Sequence, residues 1–235
     1  MTEGKVCVIT GASQGIGRAA AVEMSRQPDV GTIILVARSA DGIAATADAM
    51  VPGKDVRQVA YDLGNLDAIP GLVEEICTEH GGIDLLLNIA GYAEPKSLLD
   101  TTVENLVKTF TINVFQMLVL IREMVRFGDG RPAKVLNVAS TAGITARPGW
   151  VAYAASKAAV VNLSATLAEE LAGSGVKIYT ISPGRTATEL RRKLAPDEDP
   201  STIMQPEQVA RVIATLMRDD ELTLDGQNII VRQQM

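Results

Sequence analysis

A phenol and an ammonium lie four positions apart in the stretch "YAASK", which runs from Tyr153 to Lys157. On a helix, this spacing places both side chains on one face, with Cβ atoms about 5–6 Å apart. A positioned phenol can give a proton to an oxygen that gains negative charge, and an ammonium nearby stabilises the phenolate that remains. The pair therefore indicates proton-transfer chemistry, although two such residues can also simply flank a solvated helix face.

Ser140 directly follows the apolar segment "KVLNVA", which has the composition of a buried strand. A hydroxyl at the carboxyl end of such a strand can hydrogen-bond a substrate oxygen as charge develops on it. The same serine could instead cap a turn.

A glycine-rich turn, "TGASQGIG" at 10–17, lies where a strand ends and a helix begins. Its glycines allow a tight turn and a close approach of the backbone to a ligand, and the helix offers free N–H groups to a pyrophosphate. The spacing is GxxxGxG, which differs from the general GxGxxG pattern. A turn of this kind can also merely connect a strand to a helix.

Short apolar segments alternate with longer segments of helical periodicity, and this alternation predicts how these residues are positioned. Strand, helix, strand repetition predicts one α/β domain spanning 1–235, with a doubly wound parallel sheet of about seven strands and helices on both faces. The predicted strands are "KVCVIT", "TIILVA", "VRQVA", "IDLLLN", "KVLNVA", "VKIYTI" and "NIIVR", and the predicted helices include 15–27, 65–79, 102–126, 151–173 and 206–218. The Pro-bearing stretch 195–208 is interpreted as a surface loop.

Composition narrows the classes of function. The 235 residues are 47% hydrophobic, which suffices for a sizeable core, and the net charge of −6 comes without a basic run. Nucleic acid and membrane are therefore not expected partners, and no stretch reaches the roughly 18 consecutive apolar residues of a membrane span. Two cysteines, Cys7 and Cys77, and one histidine, His80, indicate reduced thiols and no metal site, so a cytoplasmic location is expected.

Five motifs taken together resemble the short-chain dehydrogenase/reductase family: the glycine turn, "NIAG" at 88–91, Ser140, "YAASK" and "SPG" at 182–184. The resemblance covers nearly the whole chain. It implies a Rossmann-type fold, an NAD(P)-dependent oxidoreductase, and a catalytic set of Asn113, Ser140, Tyr153 and Lys157. In the family the lysine also holds the nicotinamide ribose, and the asparagine anchors a water that links the lysine to solvent.

The resemblance also assigns residues to the cofactor. They lie in the glycine turn, at the end of the second strand, after the third strand, in the "NIAG" loop and in the segment that covers the nicotinamide. Besides Tyr153 and Lys157 they are Gly11, Ser13, Gln14, Gly15, Ile16, Gly17, Arg38, Ser39, Asp62, Leu63, Asn88, Ala90, Gly91, Pro183, Gly184, Thr186 and Thr188.

The end of the second strand, "LVARS", favours NADP(H) over NAD(H). An acidic side chain here would bind the ribose 2′-hydroxyl of NAD, but Ala37 stands 20 positions after Gly17 and Arg38 follows it. A guanidinium suits the 2′-phosphate of NADP. Two points leave NAD(H) open: Gln14 stands where many NADP-preferring relatives carry a basic residue, and Arg38 could be a solvated charge.

The substrate segment, at about 185–205, carries Arg191, Arg192 and Lys193. These could meet an anionic substrate such as an acyl-carrier thioester, but a charge run in a surface loop is more typical of a solvated face. Trp150 could line the pocket or pack a loop. The chain resembles both 3-oxoacyl-thioester reductases and carbonyl reductases of the sepiapterin and benzil type, and the strand end "VAR" favours the second group, which reduces small ketones or diketones.

A non-enzymatic role is the alternative of another class. Some proteins of this fold bind the dinucleotide and act as redox-sensing regulators, and these typically lose the tyrosine or the lysine, which are both present here. The family resemblance also implies a homodimer or homotetramer, with the helices at 102–126 and 151–173 forming the subunit interface.

Overall fold

Seven parallel strands form one sheet in the order β3-β2-β1-β4-β5-β6-β7. The structure is a computed structural model that describes residues 4–233. Because the chain order reverses between β1 and β4, a crevice opens there at the carboxyl edge of the sheet, where ligands bind in folds of this type. The prediction of seven strands is confirmed, with bounds β1 Lys5–Thr10, β2 Val30–Ala37, β3 Asp55–Ala60, β4 Leu85–Asn88, β5 Ala133–Val138, β6 Val176–Pro183 and β7 Asn228–Val231.

Eight α-helices connect or follow the strands in the described part of the chain. Their bounds are α1 Gly15–Ser25, α2 Ala40–Asp48, α3 Ile69–His80, α4 Val103–Phe110, α5 Gln116–Phe127, α6 Val151–Glu170, α7 Glu189–Leu194 and α8 Pro206–Leu216. The sequence did not predict α2 or α7. α2 is short and rich in alanine, and Ser39 caps its start by accepting a hydrogen bond from the Gly42 amide.

Apolar layers cover both faces of the sheet. On one face, Met24 of α1 and Ile213 of α8 pack with Ile9 and Leu35 of the central strands. On the other face, side chains of α3, α5 and α6 pack on the same sheet, among them Val73, Ile76, Leu120 and Val160. The central strands are therefore buried on both sides, as their nearly continuous apolar sequences predict, and the Rossmann-type doubly wound fold is confirmed.

Among the described helices, α6 is the one that length and composition alone would allow to cross a membrane. Its inner side packs on β5 and β6, and it buries the polar side chains of Ser156, Lys157 and Ser164. Packing against the sheet accounts for the inner side of this helix only, because 33% of the apolar stretch is buried.

The long helix predicted over 102–126 is interrupted. α4 and α5 are separated by a π-helical turn, Thr111–Phe115, which holds one residue more than an α-helical turn. Asn113 lies in this turn, and both ends of its side-chain amide hydrogen-bond the backbone of Tyr92. Bonds to a neighbouring loop explain the interruption, and helical periodicity in the sequence does not reveal them.

Thr10, the last residue of β1, joins the first crossover to the loop after β4. Its fully buried hydroxyl accepts hydrogen bonds from the amides of Ile89 and Ala90, at 2.9 and 3.1 Å, and donates to the carbonyl of Leu87 at 3.2 Å. One side chain thus holds together the two loops that border the crevice.

Replacing Thr10 by valine should lower the free energy of unfolding by about 1–3 kcal/mol, because the Ala90 amide loses its acceptor and the Ile89 amide keeps only the Leu87 carbonyl, while the side-chain shape is kept. Urea denaturation monitored by circular dichroism measures the change. Thr166→Val is the matched control, since that exposed hydroxyl only bonds Asn162 within α6, and its effect should stay within about 0.5 kcal/mol. Equal losses in the two variants would contradict the role given to Thr10.

Candidate active site

A cavity of about 1290 Å³ opens at the carboxyl edge of the sheet and brings most of the predicted residues together. Its volume exceeds the ~300–1,000 Å³ that holds one drug-sized ligand, so it can take a dinucleotide and a substrate. All the predicted catalytic and cofactor residues line it except Asn88 and Asn113.

The predicted catalytic pair lies in the first two turns of α6. Tyr153 and Lys157 are both buried, and the Lys157 Nζ lies 5.9 Å from the centre of the Tyr153 ring. The same ammonium donates a hydrogen bond of 2.7 Å to the carbonyl oxygen of Val138 at the end of β5. The spacing in the sequence thus produces the predicted neighbourhood of phenol and ammonium.

Ser140 reaches the same point from β5. Its hydroxyl caps a short turn, Thr141–Gly143, by accepting from the Ala142 amide at 3.1 Å, and its side chain also lies close enough to Tyr153 to lower the pKa of that phenol. A Cβ atom on Gly143 would lie 2.5 Å from the carbonyl carbon of Lys157, so only glycine lets this turn pack on α6. The capping role considered for Ser140 and the contact with the phenol therefore coexist.

Burial shifts both titrating groups. It raises the pKa of Tyr153, and the hydrogen bond from Ser140 and the positive charge of Arg191 partly oppose that rise. Burial lowers the pKa of Lys157 to about 8. Near neutral pH the phenol is therefore protonated and the lysine still carries its charge, which is the state required to give a proton to an oxygen.

Asn113 does not face the cavity. Its Oδ1 accepts from the Tyr92 amide at 2.8 Å, while its Nδ2 donates to the Tyr92 carbonyl and to the Ser156 hydroxyl, both at 2.9 Å. The side chain therefore positions the loop after β4 against α6. The water-anchoring role that the family resemblance implies stays a prediction.

Asn88 also acts from behind the cavity. Its Nδ2 donates to Asn137 at 2.9 Å, and Asn137 donates to Ser164 of α6 at 3.0 Å, so a buried chain of hydrogen bonds joins β4, β5 and α6. The side chain therefore supports the ends of β4 and β5 from behind the cavity, and the contact of Asn88 with the cofactor stays a prediction.

The glycine turn packs closely on the loop after β4. Gly11 has a φ of +67°, and a Cβ atom there would lie 2.8 Å from the Cα of Ala90. Arg18, which the sequence analysis did not single out, braces the turn by donating to the Ser13 carbonyl at 2.7 Å and to Thr46 at 3.1 Å. A cradle so narrow, lined by backbone at the start of α1, fits a pyrophosphate.

The end of β2 fits the rest of such a cofactor. Arg38 is exposed and lines the cavity beside Ser39, while the acidic residue nearest in sequence, Asp41, does not line it. Asp62 accepts a hydrogen bond of 2.9 Å from the Gly64 amide at the same end of the cavity. This end of the cavity therefore offers both a guanidinium, at Arg38, and a carboxylate, at Asp62.

Trp150 and Arg191 form part of the opposite wall. Trp150 lines the cavity, with its ring edge-on to that of Tyr153 at 6.3 Å between centres, so of its two predicted roles the structure favours lining the pocket. Arg191 forms a two-point ion pair with Glu198 at 2.6 and 2.7 Å. The interpretation of the basic trio as solvated is thus wrong for Arg191, whereas Arg192 and Lys193 are exposed.

The model of the short chain dehydrogenase family matches residues 5–199. Among curated relatives, the 3-oxoacyl-(acyl-carrier-protein) reductase of Thermotoga maritima is 31% identical over 240 residues, which is 97% of this chain and 96% of the relative.

Solved structures share the fold. A protein from Beutenbergia cavernae, described as an NAD(P)-dependent gluconate 5-dehydrogenase with NADP bound at low occupancy, has a TM-score of 0.86 and 26% identity over 97% of this chain and 95% of that one. The 3-ketoacyl-(acyl-carrier-protein) reductase of Brucella melitensis, in complex with NADH, has a TM-score of 0.86 and 24% identity over 97% of each chain. Solved relatives therefore bind NAD(P)(H).

The pH dependence of turnover should follow Lys157. Because this lysine is charged below a pKa of about 8, kcat/KM in the reduction direction should fall as the pH rises through that value. Lys157→Arg keeps its charge over the whole range, so in any activity that this variant retains the fall should move to higher pH. Steady-state rates between about pH 6 and 10 measure both profiles, and the same descending limb in both proteins would assign it to another group.

Proposed function

The chain belongs to the short-chain dehydrogenase family and is an NAD(P)-dependent oxidoreductase, and from that premise we propose that it is an NADP(H)-dependent carbonyl reductase acting reversibly on a ketone or diketone. The observation that carries the proposal is the placement of Ser140, Tyr153 and the buried ammonium of Lys157 in one wall of a cavity whose other end is the glycine turn.

The proposed chemistry is a proton transfer coupled to reduction. The bound dinucleotide supplies the hydride that the carbonyl carbon receives. Ser140 holds the carbonyl oxygen by a hydrogen bond, and Tyr153 gives its proton to that oxygen as negative charge develops. Lys157 stabilises the phenolate that is left, and its bond to Val138 keeps the ammonium in place. In the oxidation direction Tyr153 takes the proton back from the alcohol.

Each part of the cofactor would be held by a separate segment of the cavity wall. The amides at the start of α1 would hold the pyrophosphate, Asp62 and Leu63 would contact the adenine end, and Pro183, Gly184, Thr186 and Thr188, which also line the cavity, would hold the nicotinamide. Arg38 would bind the 2′-phosphate of NADP, which is the basis for proposing NADP(H) over NAD(H).

A 3-oxoacyl-thioester reductase is the second candidate. It is favoured by the curated relatives, several of which carry the name 3-oxoacyl-(acyl-carrier-protein) reductase at 27–31% identity. The catalytic residues would serve either substrate in the same way. A non-catalytic NADP-sensing regulator remains the alternative of another class.

A homodimer or homotetramer is proposed as the assembly, in the cytoplasm. Outside the cavity, α4, the π turn and α5 expose the apolar side chains of Leu106, Phe115 and Leu118, and Val151 is exposed at the start of α6. Covering this apolar area would favour association. Analytical ultracentrifugation measures the assembly, and cell fractionation tests the location.

Tyr153→Phe should lower carbonyl reduction by about 10²–10⁴-fold while NADPH binding is kept, because the variant loses only the proton donor. NADPH fluorescence measures binding, and NADPH consumption over a panel of ketones, diketones and acetoacetyl thioesters measures turnover. Tyr179→Phe is the matched control, since its hydroxyl bonds the Glu221 carbonyl and lies outside the cavity.

The substrate panel separates the candidates. Turnover of diketones but not thioesters supports the carbonyl reductase, and the reverse supports the thioester reductase. Tight NADPH binding without turnover of any compound by the unmodified protein would contradict both and favour the regulator.

Arg38→Gln should weaken NADPH binding by about 10–100-fold and NADH binding little, because a charge-assisted hydrogen bond to the 2′-phosphate is lost. Fluorescence titration with both nucleotides measures the effect. Arg211→Gln, an exposed position on α8, is the control for the loss of one positive charge. If the unmodified protein prefers NADH, the role proposed for Arg38 is wrong.

A further inference from the structure

The guanidinium of Arg191 is held rigidly beside the proposed proton donor. Its Nε and Nη2 donate to the two carboxylate oxygens of Glu198, and the group lies 5.6 Å from the centre of the Trp150 ring. Trp150 in turn contacts Tyr153 edge-on. Arg191 is only 19% exposed at its side chain, so its position is fixed by these neighbours and not by solvent.

Glu198 holds this guanidinium from the side away from the catalytic residues. Arg191 lines both the active-site cavity and the groove behind α7, whereas Glu198 lines the groove only. The Nη1 group of Arg191 makes no hydrogen bond to any residue between 4 and 233. The edge of the guanidinium formed by Nε and Nη2 is therefore occupied by Glu198, and the Nη1 donors remain for a group inside the cavity.

The surroundings favour an anion at this point. Arg147 and Arg185 also line the cavity, and Arg185 shares Glu198 with Arg191. The acidic residue of α7 that lines it, Glu189, is paired with Arg192. Apolar side chains lie next to Arg191 as well, including Leu190 and Leu194, which pack with Tyr153. A hydrogen bond to a charged group is stronger in such a partly buried site, where the dielectric constant is low, than in open solvent.

We propose that Arg191 binds a carboxylate of the substrate, so that the natural substrate is an oxo acid, a ketone whose carbon chain also carries a free carboxylate. The inference rests on the proposed carbonyl reduction and names the substrate class of that same site. The ketone oxygen lies at Ser140 and Tyr153, and the carboxylate extends past Trp150 to the guanidinium. Planar donors match a planar carboxylate, whereas an ester or thioester is neutral and gains little from the contact.

The test uses pairs of substrates that differ only in this charge. Levulinate and its methyl ester form the first pair, and homologues lengthened one methylene at a time form the others, since chain length sets where the carboxylate falls. We expect the unmodified protein to reduce the best acid with a kcat/KM about 10–100-fold above that of its ester. Arg191→Gln should abolish this preference, mainly through KM of the acid.

Lys193→Gln is the matched control. It removes one positive charge from the same helix, at an exposed position outside the active-site cavity, and it should leave the preference for the acid unchanged. Arg191→Lys keeps the charge but not the planar fork, so it should keep part of the preference. If Arg191→Gln does not fold, Arg191→Lys tests the inference in its place. NADPH fluorescence reports whether the cofactor site of each variant is intact.

Two results would overturn the inference while carbonyl reduction stands. One is reduction of neutral diketones and esters as efficiently as acids of every length. The other is an equal loss of all substrates in Arg191→Gln together with weaker NADPH binding, which would assign the guanidinium to the cofactor. If NADPH binds but the unmodified protein reduces no ketone, the proposed function fails and the inference fails with it.

Discussion

A buried ammonium governs the geometry of this active site. Lys157 lies almost out of contact with water, and a charge in such a place is tolerated only where polar atoms receive its protons. The acceptor provided by the chain is the carbonyl oxygen of Val138, the last residue of β5. This bond ties α6 to the end of the strand that leads into Ser140, and so it holds the phenol, the hydroxyl and the ammonium in one wall of the cavity. Because burial lowers the pKa of Lys157 to about 8, the charge persists at neutral pH with little margin.

Most of the fold could be predicted from the sequence because the central strands are buried on both faces. A stretch such as "DLLLN" has few alternatives once helical segments flank it on either side. The elements that were missed depend on other interactions. α2 and α7 are short, and the π turn follows from bonds between Asn113 and the Tyr92 loop, which are distant in sequence.

Most, but not all, of the predicted site residues reach the cavity. The glycine turn, Ser140, Tyr153 and Lys157 reach the cavity because strand ends and the first turns of helices converge there. Asn88 and Asn113 were expected at the same place, but their amides are used by Asn137, Tyr92 and Ser156. A buried side-chain amide forms hydrogen bonds with the polar groups that the fold brings next to it. Those partners are distant in sequence, so the sequence pattern does not reveal them. Arg191 was interpreted as solvated because the prediction considered only the adjacent charged residues. Its partners, Glu198 and Trp150, lie farther away in the sequence.

Backbone lines much of one half of the cavity, whereas long side chains line the other half. This difference limits what family membership can indicate about the substrate. Backbone amides, Gly11 and the neighbouring Ala90 form the cofactor half, so its shape follows from the sheet itself. The substrate half depends on long side chains carried by a six-residue helix and by the residue before α6. Exchange of Trp150 or Arg191 would change the charge and width of that half without moving a strand. Likeness of fold and cofactor site therefore carries the class of reaction from relative to relative, whereas the substrate must be argued from the few side chains of this wall.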